Sequence, residues 1–296
     1  MRALCLPGSG CRAAFQVGAV QRLNEAGERF DLVAGASSGS ICGAVVVSGL
    51  SADGPSFFRS LANTKILSRR YLRSDGGPFG MATIVREALS RFIPNERIVG
   101  SDMELLVSTT RASRMLKSAL EVARSRVRAP LGRRPAPELR PDAPFDEPSR
   151  VHALAVRAEA LVVHSNRTRA DMHDVIVASC TIPGLYARFV VLDGEVHVDG
   201  GAADNTLLGE LIARGATDIT IVTPYQGGAV SPTLFERERT PRPPEGVTLR
   251  LVSPTSPIRL RHFDFDPDRL EEALNMPFSI EIIEAPRTPL AAAGGG

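Results

Sequence analysis

Short apolar runs alternate with amphipathic stretches along most of the chain, and this alternation predicts strands and helices in turn. Strands are expected at residues 2–6, 31–34, 104–109, 160–164, 188–192, 195–198, 218–223 and 247–252. Helices are expected at residues 13–26, 39–48, 81–91, 170–180 and 205–214. Strands that alternate with helices favour an α/β fold, in which a mainly parallel central sheet lies between helical layers.

The second predicted strand leads directly into a serine between two glycines. Residues 31–43 read Asp-Leu-Val-Ala-Gly-Ala-Ser-Ser-Gly-Ser-Ile-Cys-Gly, so Gly35 and Gly39 flank Ser37. In a nucleophile elbow this spacing makes a sharp strand-to-helix turn that exposes the serine hydroxyl. The helix that follows directs its free N–H groups and its positive dipole end towards the serine oxygen. An ordinary Gly/Ser-rich turn can carry the same spacing, so the motif alone does not establish catalysis.

A second glycine-containing loop lies between the first predicted strand and the first predicted helix. It contains Gly8, Ser9 and Gly10 and ends at Arg12, and its backbone N–H groups are suited to bind an anion at a helix N-terminus. One interpretation is a dinucleotide-binding loop, but Ala13 stands at the last glycine position of that motif and no acidic residue ends the second strand. The other interpretation is an oxyanion hole, which the neighbouring serine elbow favours.

A carboxylate followed by two glycines ends a hairpin near residue 200. Asp193 and Gly194 form a hairpin turn signal between two alternating apolar runs. The second run ends in Asp199, and Gly200 and Gly201 follow it. The sequence therefore places a carboxylate at a strand terminus, next to residues that let another part of the backbone pass close by.

Taken in order, these segments resemble the patatin-like acyl hydrolases. That family carries a glycine-rich oxyanion loop ending in Arg or Lys, a Gly-x-Ser-x-Gly elbow, an Ala-Ser-x-x-x-Pro-Gly segment and an Asp-Gly-Gly or Asp-Gly-Ala sequence. The corresponding residues here are 8–12, 35–39, 178–184 and 199–201, and the resemblance covers about residues 3–225. Four ordered motifs are much more specific than any one of them. The chain departs from the family pattern at Ser9 and Ala13, where glycine is common, and at Leu207, where the family carries proline.

The resemblance implies a patatin-like three-layer fold and a serine acyl hydrolase that needs no cofactor. Ser37 is then the nucleophile and Asp199 the proton acceptor. Gly8, Ser9 and Gly10 supply the oxyanion hole, and Arg12 supports that loop, with an ordinary surface arginine as the alternative. The other motif positions are the glycines of the elbow and of the Asp-Gly-Gly segment: Gly35, Gly39, Gly200 and Gly201.

The expected substrates are lipid carboxylic esters, of the phospholipase A or lysophospholipase type. This expectation comes from the resemblance, since the residues themselves indicate only ester or thioester chemistry. The alternative is a patatin-like protein that binds a lipid or a partner, regulates it and turns over little substrate. The intact dyad, elbow and arginine favour the enzyme.

A Ser-His-Asp triad is the alternative catalytic arrangement. The elbow lies before residue 40, which leaves no room for the strands and oxyanion loop that α/β-hydrolases place ahead of it. His197 shares a strand face with Asp199, but a histidine on a strand is more often a packing residue. The other four histidines match no motif: His152, His164, His173 and His262. The sequence therefore favours a dyad of Ser37 and Asp199.

Composition narrows the remaining function classes. The net charge of +2 gives no support for nucleic-acid binding. Four cysteines have no disulfide or metal-ligand spacing, so we expect a reducing compartment and no metal: Cys5, Cys11, Cys42 and Cys180. The sequence begins directly with a strand, which predicts no signal peptide, and its longest apolar stretch, residues 41–50, is too short to span a bilayer. We therefore expect a cytoplasmic enzyme, for which the sequence indicates no oligomeric state.

A single catalytic domain is expected over residues 2–256, followed by a C-terminal extension at 257–296. Residues near 111–150 have the composition of an insertion. Within it, 111–128 can form a basic amphipathic helix, and 129–148 is rich in Pro, Arg, Asp and Glu, as flexible loops are. Such a helix is suited to peripheral contact with an anionic membrane, or to packing on the domain with a solvated basic face. The tail beyond residue 286 is expected to be disordered.

Overall fold

One sheet of nine strands organises the residues that the structure describes. A computed structural model describes residues 1–116 and 158–285. The strands are β1 (Arg2–Leu6), β2 (Leu32–Gly35), β3 (Glu104–Arg111), β4 (Leu161–Ser165), β5 (Val190–Leu192), β6 (Glu195–Asp199), β7 (Asp218–Val222), β8 (Thr248–Pro254) and β9 (Phe278–Glu284). The helices are α1 (Ala13–Glu25), α2 (Ser38–Val47), α3 (Gly54–Ser60), α4 (Met81–Phe92), α5 (Asn95–Val99), α6 (Met172–Ser179), α7 (Leu208–Ala213) and α8 (Pro267–Asn275).

The centre of the sheet is parallel and its edges are antiparallel. Its strand order is β5-β6-β3-β2-β1-β7-β8-β9, and β4 also pairs with β3. Within this order, the five strands β3, β2, β1, β7 and β8 run parallel to one another. Strands β4 and β6 are antiparallel to β3, β5 is antiparallel to β6, and β9 is antiparallel to β8. The predicted mainly parallel central sheet is confirmed.

Apolar side chains on the two faces of the sheet pack into two separate cores. Alternate residues of β1 illustrate the division, because Leu4 and Leu6 join one core while Ala3 and Cys5 join the other. Seven helices contribute side chains to the first core, and α7 contributes to the second through Leu208 and Leu211. The sheet is therefore covered on both faces, as the predicted three-layer α/β fold requires.

Every predicted strand has a counterpart in the structure, whereas α3, α5, α8 and β9 were not predicted. Strand β9 pairs with β8 along its whole length, from Phe278 opposite Pro254 to Glu284 opposite Thr248. Helix α8 packs against α1. Part of the predicted C-terminal extension therefore continues the sheet and one helical layer. Most of the predicted basic helix at 111–128, the loop at 129–148 and the tail beyond 286 lie outside the described residues.

Candidate active site

Ser37 occupies a strained turn between β2 and α2. Its φ of 50° and ψ of −130° lie in a region that a non-glycine residue adopts only when its surroundings enforce it. Two close approaches enforce the turn here. A Cβ on Gly35 would lie 2.5 Å from the carbonyl oxygen of Gly39, and a Cβ on Gly39 would lie 1.8 Å from that of Leu6. The predicted elbow glycines are therefore required by the packing of the turn.

The structure brings the two predicted catalytic side chains together. Ser37 Oγ donates a hydrogen bond to Asp199 Oδ2 over 2.8 Å, and the other carboxylate oxygen, Oδ1, accepts one from Gly201 N at 2.8 Å. Asp199 is fully buried, while 8% of Ser37 is exposed. The pair is therefore shielded on the carboxylate side, and the serine retains limited access to solvent.

The register of β3 explains why residues so far apart in sequence meet. Gly35, at the end of β2, pairs with Val107, and Asp199, at the end of β6, pairs with Thr109. Strand β4 pairs with residues 106–110 and so occupies the other edge of β3. Strands β2 and β6 must then share one edge and approach each other end to end, which leaves Ser37 facing Asp199 across the junction.

Burial sets the proton affinity of the carboxylate. Desolvation raises the pKa of Asp199 from an ordinary value of 3.8 to about 7, although the hydrogen bonds from Ser37 and Gly201 act to lower it. A general base works best when its pKa is close to the working pH, because it then combines basicity with a deprotonated population. Asp199 is consequently a much stronger base than an exposed aspartate.

The segment that resembles Ala-Ser-x-x-x-Pro-Gly holds both members of the pair. Ser37 N donates to Ser179 Oγ at 2.8 Å, and Asp199 N donates to the carbonyl oxygen of Thr181 at 2.9 Å. Ser40 Oγ adds a hydrogen bond to the carbonyl oxygen of Ser37 at 2.6 Å. The sequence motif alone gives Ser179 and Thr181 no role, but their positions in the structure make them supports for the serine and the carboxylate.

The glycine loop lies against the serine, and two of its three predicted donors are already hydrogen-bonded. Gly8 N donates to Asn205 Oδ1 at 2.9 Å, and Ser9 N donates to Ser38 Oγ at 3.0 Å. Asn205 Nδ2 also donates to the carbonyl oxygen of Gly8 at 3.2 Å, so one amide side chain fixes both backbone groups of that residue. The N–H of Gly10 makes no hydrogen bond with any residue that the structure describes. Asn205 had no predicted role.

Arg12 is tied to parts of the chain that lie far away in sequence. Its Nε donates to the carbonyl oxygen of Leu260 at 3.0 Å, and its guanidinium lies over the Tyr225 ring at 5.6 Å from the centroid. The neighbouring Cys11 N donates to the carbonyl oxygen of His262 at 3.0 Å. Arg12, the residue predicted to support the glycine loop, therefore links that loop to residues 260–262.

Gly200 and Gly201 begin a short 3-10 turn after β6. A Cβ on Gly200 would lie 2.1 Å from the carbonyl oxygen of Ser108, so the turn passes directly over β3. This close approach lets Gly201 N reach the Asp199 carboxylate and orient it.

The described histidines make other contacts. His164 Nε2 and His197 Nδ1 both lie 2.8 Å from Thr109 Oγ1, and burial lowers the pKa of both rings, that of His164 to about 4. His173 Nε2 lies 2.8 Å from the carbonyl oxygen of Ile93. Within residues 1–116 and 158–285, no histidine is hydrogen-bonded to Ser37 or Asp199, and His152 lies outside those ranges.

Two further features bear on function. Over the described ranges, no group of three or more His, Cys, Asp and Glu side chains is arranged to hold a metal ion. None of the helices in the same part of the chain combines the length and apolar character needed to cross a bilayer.

Comparisons with known proteins place this chain in a family. A family model described as patatin-like phospholipase matches residues 4–212. Among solved structures, VipD from Legionella pneumophila is similar over 76% of this chain, with 13% sequence identity and a TM-score of 0.37, and the chain covers 50% of that protein. Comparison with curated proteins gave no match. Because the family model spans well over half of the sequence, the chain belongs to the patatin-like phospholipase family.

Proposed function

We propose that the protein hydrolyses carboxylic esters of phospholipids or lysophospholipids through a dyad of Ser37 and Asp199. Membership of the patatin-like family supports lipid acyl hydrolysis in general. The observation that carries the dyad is the 2.8 Å hydrogen bond from Ser37 Oγ to a fully buried carboxylate. Burial makes that carboxylate basic enough to accept the serine proton near neutral pH.

The reaction proceeds through an acyl-enzyme. The proton of Ser37 Oγ moves to Asp199 Oδ2 as the oxygen attacks the ester carbonyl carbon. The tetrahedral intermediate then collapses, the bond to the alcohol oxygen breaks, and the alcohol takes the proton from Asp199. A water molecule attacks the acyl-enzyme in the second half, again giving its proton to Asp199, and the fatty acid leaves as Ser37 recovers its proton.

The glycine loop is proposed to stabilise the negative charge of the intermediate. Gly10 N–H is the first donor, because it has no competing partner among the described residues. Ser9 N–H can join it when Ser38 Oγ rotates away, since a hydroxyl on a short side chain changes rotamer readily. Gly8 N–H contributes only if it is shared with Asn205. One well-placed donor is typically worth about 3–4 kcal/mol of barrier lowering.

Arg12 is proposed to keep this loop in place. Its guanidinium contacts Leu260 and Tyr225, which ties the loop to distant parts of the chain. In this arrangement Arg12 positions the loop, and the backbone N–H groups of the loop donate hydrogen bonds to the substrate.

A fluorophosphonate probe tests the nucleophile directly. The wild-type protein should be labelled, and Ser37→Ala should not. Ser60→Ala is a matched control, because that hydroxyl donates to a carbonyl oxygen within its own helix, away from the dyad. Failure to label the folded wild type would contradict the proposal and favour a binding or regulatory protein. Turnover of p-nitrophenyl esters, lysophospholipids and diacyl phospholipids then identifies the substrate class.

A further inference from the structure

Two loops beside the dyad touch each other. The first, residues 61–80, connects α3 to α4, and the second, residues 180–189, connects α6 to β5. Arg188 Nη1 donates to the carbonyl oxygen of Ser74 at 3.1 Å. The rings of Phe79 and Tyr186 meet edge to face, with their centroids 5.2 Å apart. The loops therefore present one continuous surface.

Large apolar side chains project from both loops into solvent. The exposed fractions are 64% for Leu67, 53% for Leu72, 46% for Leu185 and 44% for Phe189. A single exposed apolar residue is ordinary on a protein surface, but a group of them on adjoining loops marks a site of interaction. These side chains cannot be buried inside the domain unless the loops move. We therefore expect them to contact an apolar environment outside the protein.

The same loops carry an excess of positive charge. Five exposed cations lie on them: Lys65, Arg69, Arg70, Arg73 and Arg188. None of the five forms an ion pair with another residue of the described ranges. The two loops, residues 61–80 and 180–189, contain one carboxylate, Asp75, and it is buried where Thr83 N and Oγ1 donate to it. The surface is thus complementary to an anionic partner.

The second loop begins where the dyad is held. Ser179 accepts the hydrogen bond from Ser37 N, and Thr181 accepts the one from Asp199 N. The chain then turns at once, with Leu185 N donating to the carbonyl oxygen of Ile182 at 3.3 Å. A partner bound to the second loop therefore contacts the chain within a few residues of the segment that holds Ser37 and Asp199.

We propose that the protein binds anionic membranes through this surface, here named the basic rim. The basic rim comprises Lys65, Leu67, Arg69, Arg70, Leu72, Arg73, Leu185, Arg188 and Phe189. Its apolar side chains enter the interface between headgroups and acyl chains, while its cations pair with lipid phosphates. The proposal rests on the proposed function, because a lipid hydrolase meets its substrate at a bilayer surface. It uses residues other than the predicted basic helix at 111–128.

Vesicle binding of the Ser37→Ala protein tests the basic rim without interference from turnover. Co-sedimentation is measured with vesicles of phosphatidylcholine alone and of phosphatidylcholine mixed equally with phosphatidylglycerol. The protein should bind the anionic vesicles much better, and 1 M salt should weaken that binding, because the Debye length falls to about 3 Å. Replacing Arg69 and Arg73 by Gln should lower the partition coefficient about 30-fold, since one cation near an anionic surface is worth about fivefold.

Apolar variants and distant controls complete the experiment. Leu72→Ser with Phe189→Ser should lower the partition coefficient at least about tenfold, because apolar surface no longer leaves water. Ile282→Ser is the apolar control, on β9 at the opposite side of the sheet with a side chain 63% exposed. Arg29→Gln is the charge control, just before β2 and away from the carboxyl ends of the parallel strands. Thermal unfolding verifies that each variant is folded.

The outcomes separate the basic rim from the proposed catalysis. Equal binding to both vesicle types would overturn the proposal that the basic rim binds anionic membranes. Equal reductions of the partition coefficient in the rim and control variants would overturn it as well. Fluorophosphonate labelling without vesicle binding would overturn it as well, while leaving the dyad in place. Vesicle binding without labelling would support the basic rim and contradict hydrolysis.

Discussion

Replacing Asp199 by Asn should abolish turnover and at the same time stabilise the folded protein at alkaline pH. The folded protein holds this carboxylate away from water, whereas the unfolded chain hydrates it. Asn keeps the shape and an oxygen acceptor for Gly201 N but carries no charge. The substitution therefore removes the base and also removes the cost of burying an ionised group.

The size of the effect follows from the shift in proton affinity. Burial raises the pKa of Asp199 from 3.8 to about 7, a difference of about three units that corresponds to roughly 4 kcal/mol at 1.36 kcal/mol per unit. Because the folded-state pKa is the higher one, the wild type gains stability from proton uptake at low pH and loses it as the pH rises through about 7. Relative to the variant, the wild type should thus lose up to about 4 kcal/mol between pH 4 and pH 8.

Urea denaturation of both proteins across this range measures the difference. Other carboxylates titrate in the same range, but they are common to both proteins and cancel when the two free energies of unfolding are subtracted. Asp53→Asn, at an exposed site before α3, is the control for loss of a carboxylate away from the dyad. A free-energy difference that stays constant from pH 4 to pH 8 would refute the argument that burial makes Asp199 a strong base.

Three further outcomes are expected. The acid limb of kcat/KM against pH should lie near 7, with activity falling about tenfold per unit below it, because only the deprotonated Asp199 accepts the serine proton; a limb near 4 would contradict this. His197→Gln should keep activity on a soluble ester within a few-fold while lowering the melting temperature, since His197 contacts Thr109 and not the dyad; a folded but inactive variant would point to a triad. Ser179→Ala should reduce kcat on the order of tenfold with little change in KM, because it leaves Ser37 N–H buried without its acceptor, and an unchanged kcat would show that the turn holds without it.

Local sequence patterns were sufficient to predict that Ser37 and Asp199 lie together, because the features that signal each residue are local. The elbow needs two glycines around Ser37, and the carboxylate needs a strand end followed by residues that allow a close approach. Each of these two requirements can be recognised from a few consecutive residues of the sequence. The central parallel sheet could be predicted for a similar reason, since its strands are short apolar runs between helices.

The contacts that hold the glycine loop could not be predicted, because they depend on backbone atoms brought together by the fold. Leu260 and His262 act through their carbonyl oxygens, which every residue carries, so no residue type signals the role. Asn205 is a distinctive residue, but its partner Gly8 lies almost two hundred positions away. Strand β9 was also not predicted; it lies at one edge of the sheet beside β8, and its Ile280 and Ile282 are exposed.

The end-to-end approach of β2 and β6 makes β3 the spacer that sets the gap within the dyad. The separation of Ser37 and Asp199 depends on the two residue steps from Val107, which pairs with Gly35, to Thr109, which pairs with Asp199. Adding one residue between those positions would shift β6 by about 3.3 Å along β3. This shift is larger than the 2.8 Å distance between Ser37 Oγ and Asp199 Oδ2, so the hydrogen bond would be lost. The geometry of the proposed dyad therefore depends partly on the length of a strand that carries neither Ser37 nor Asp199.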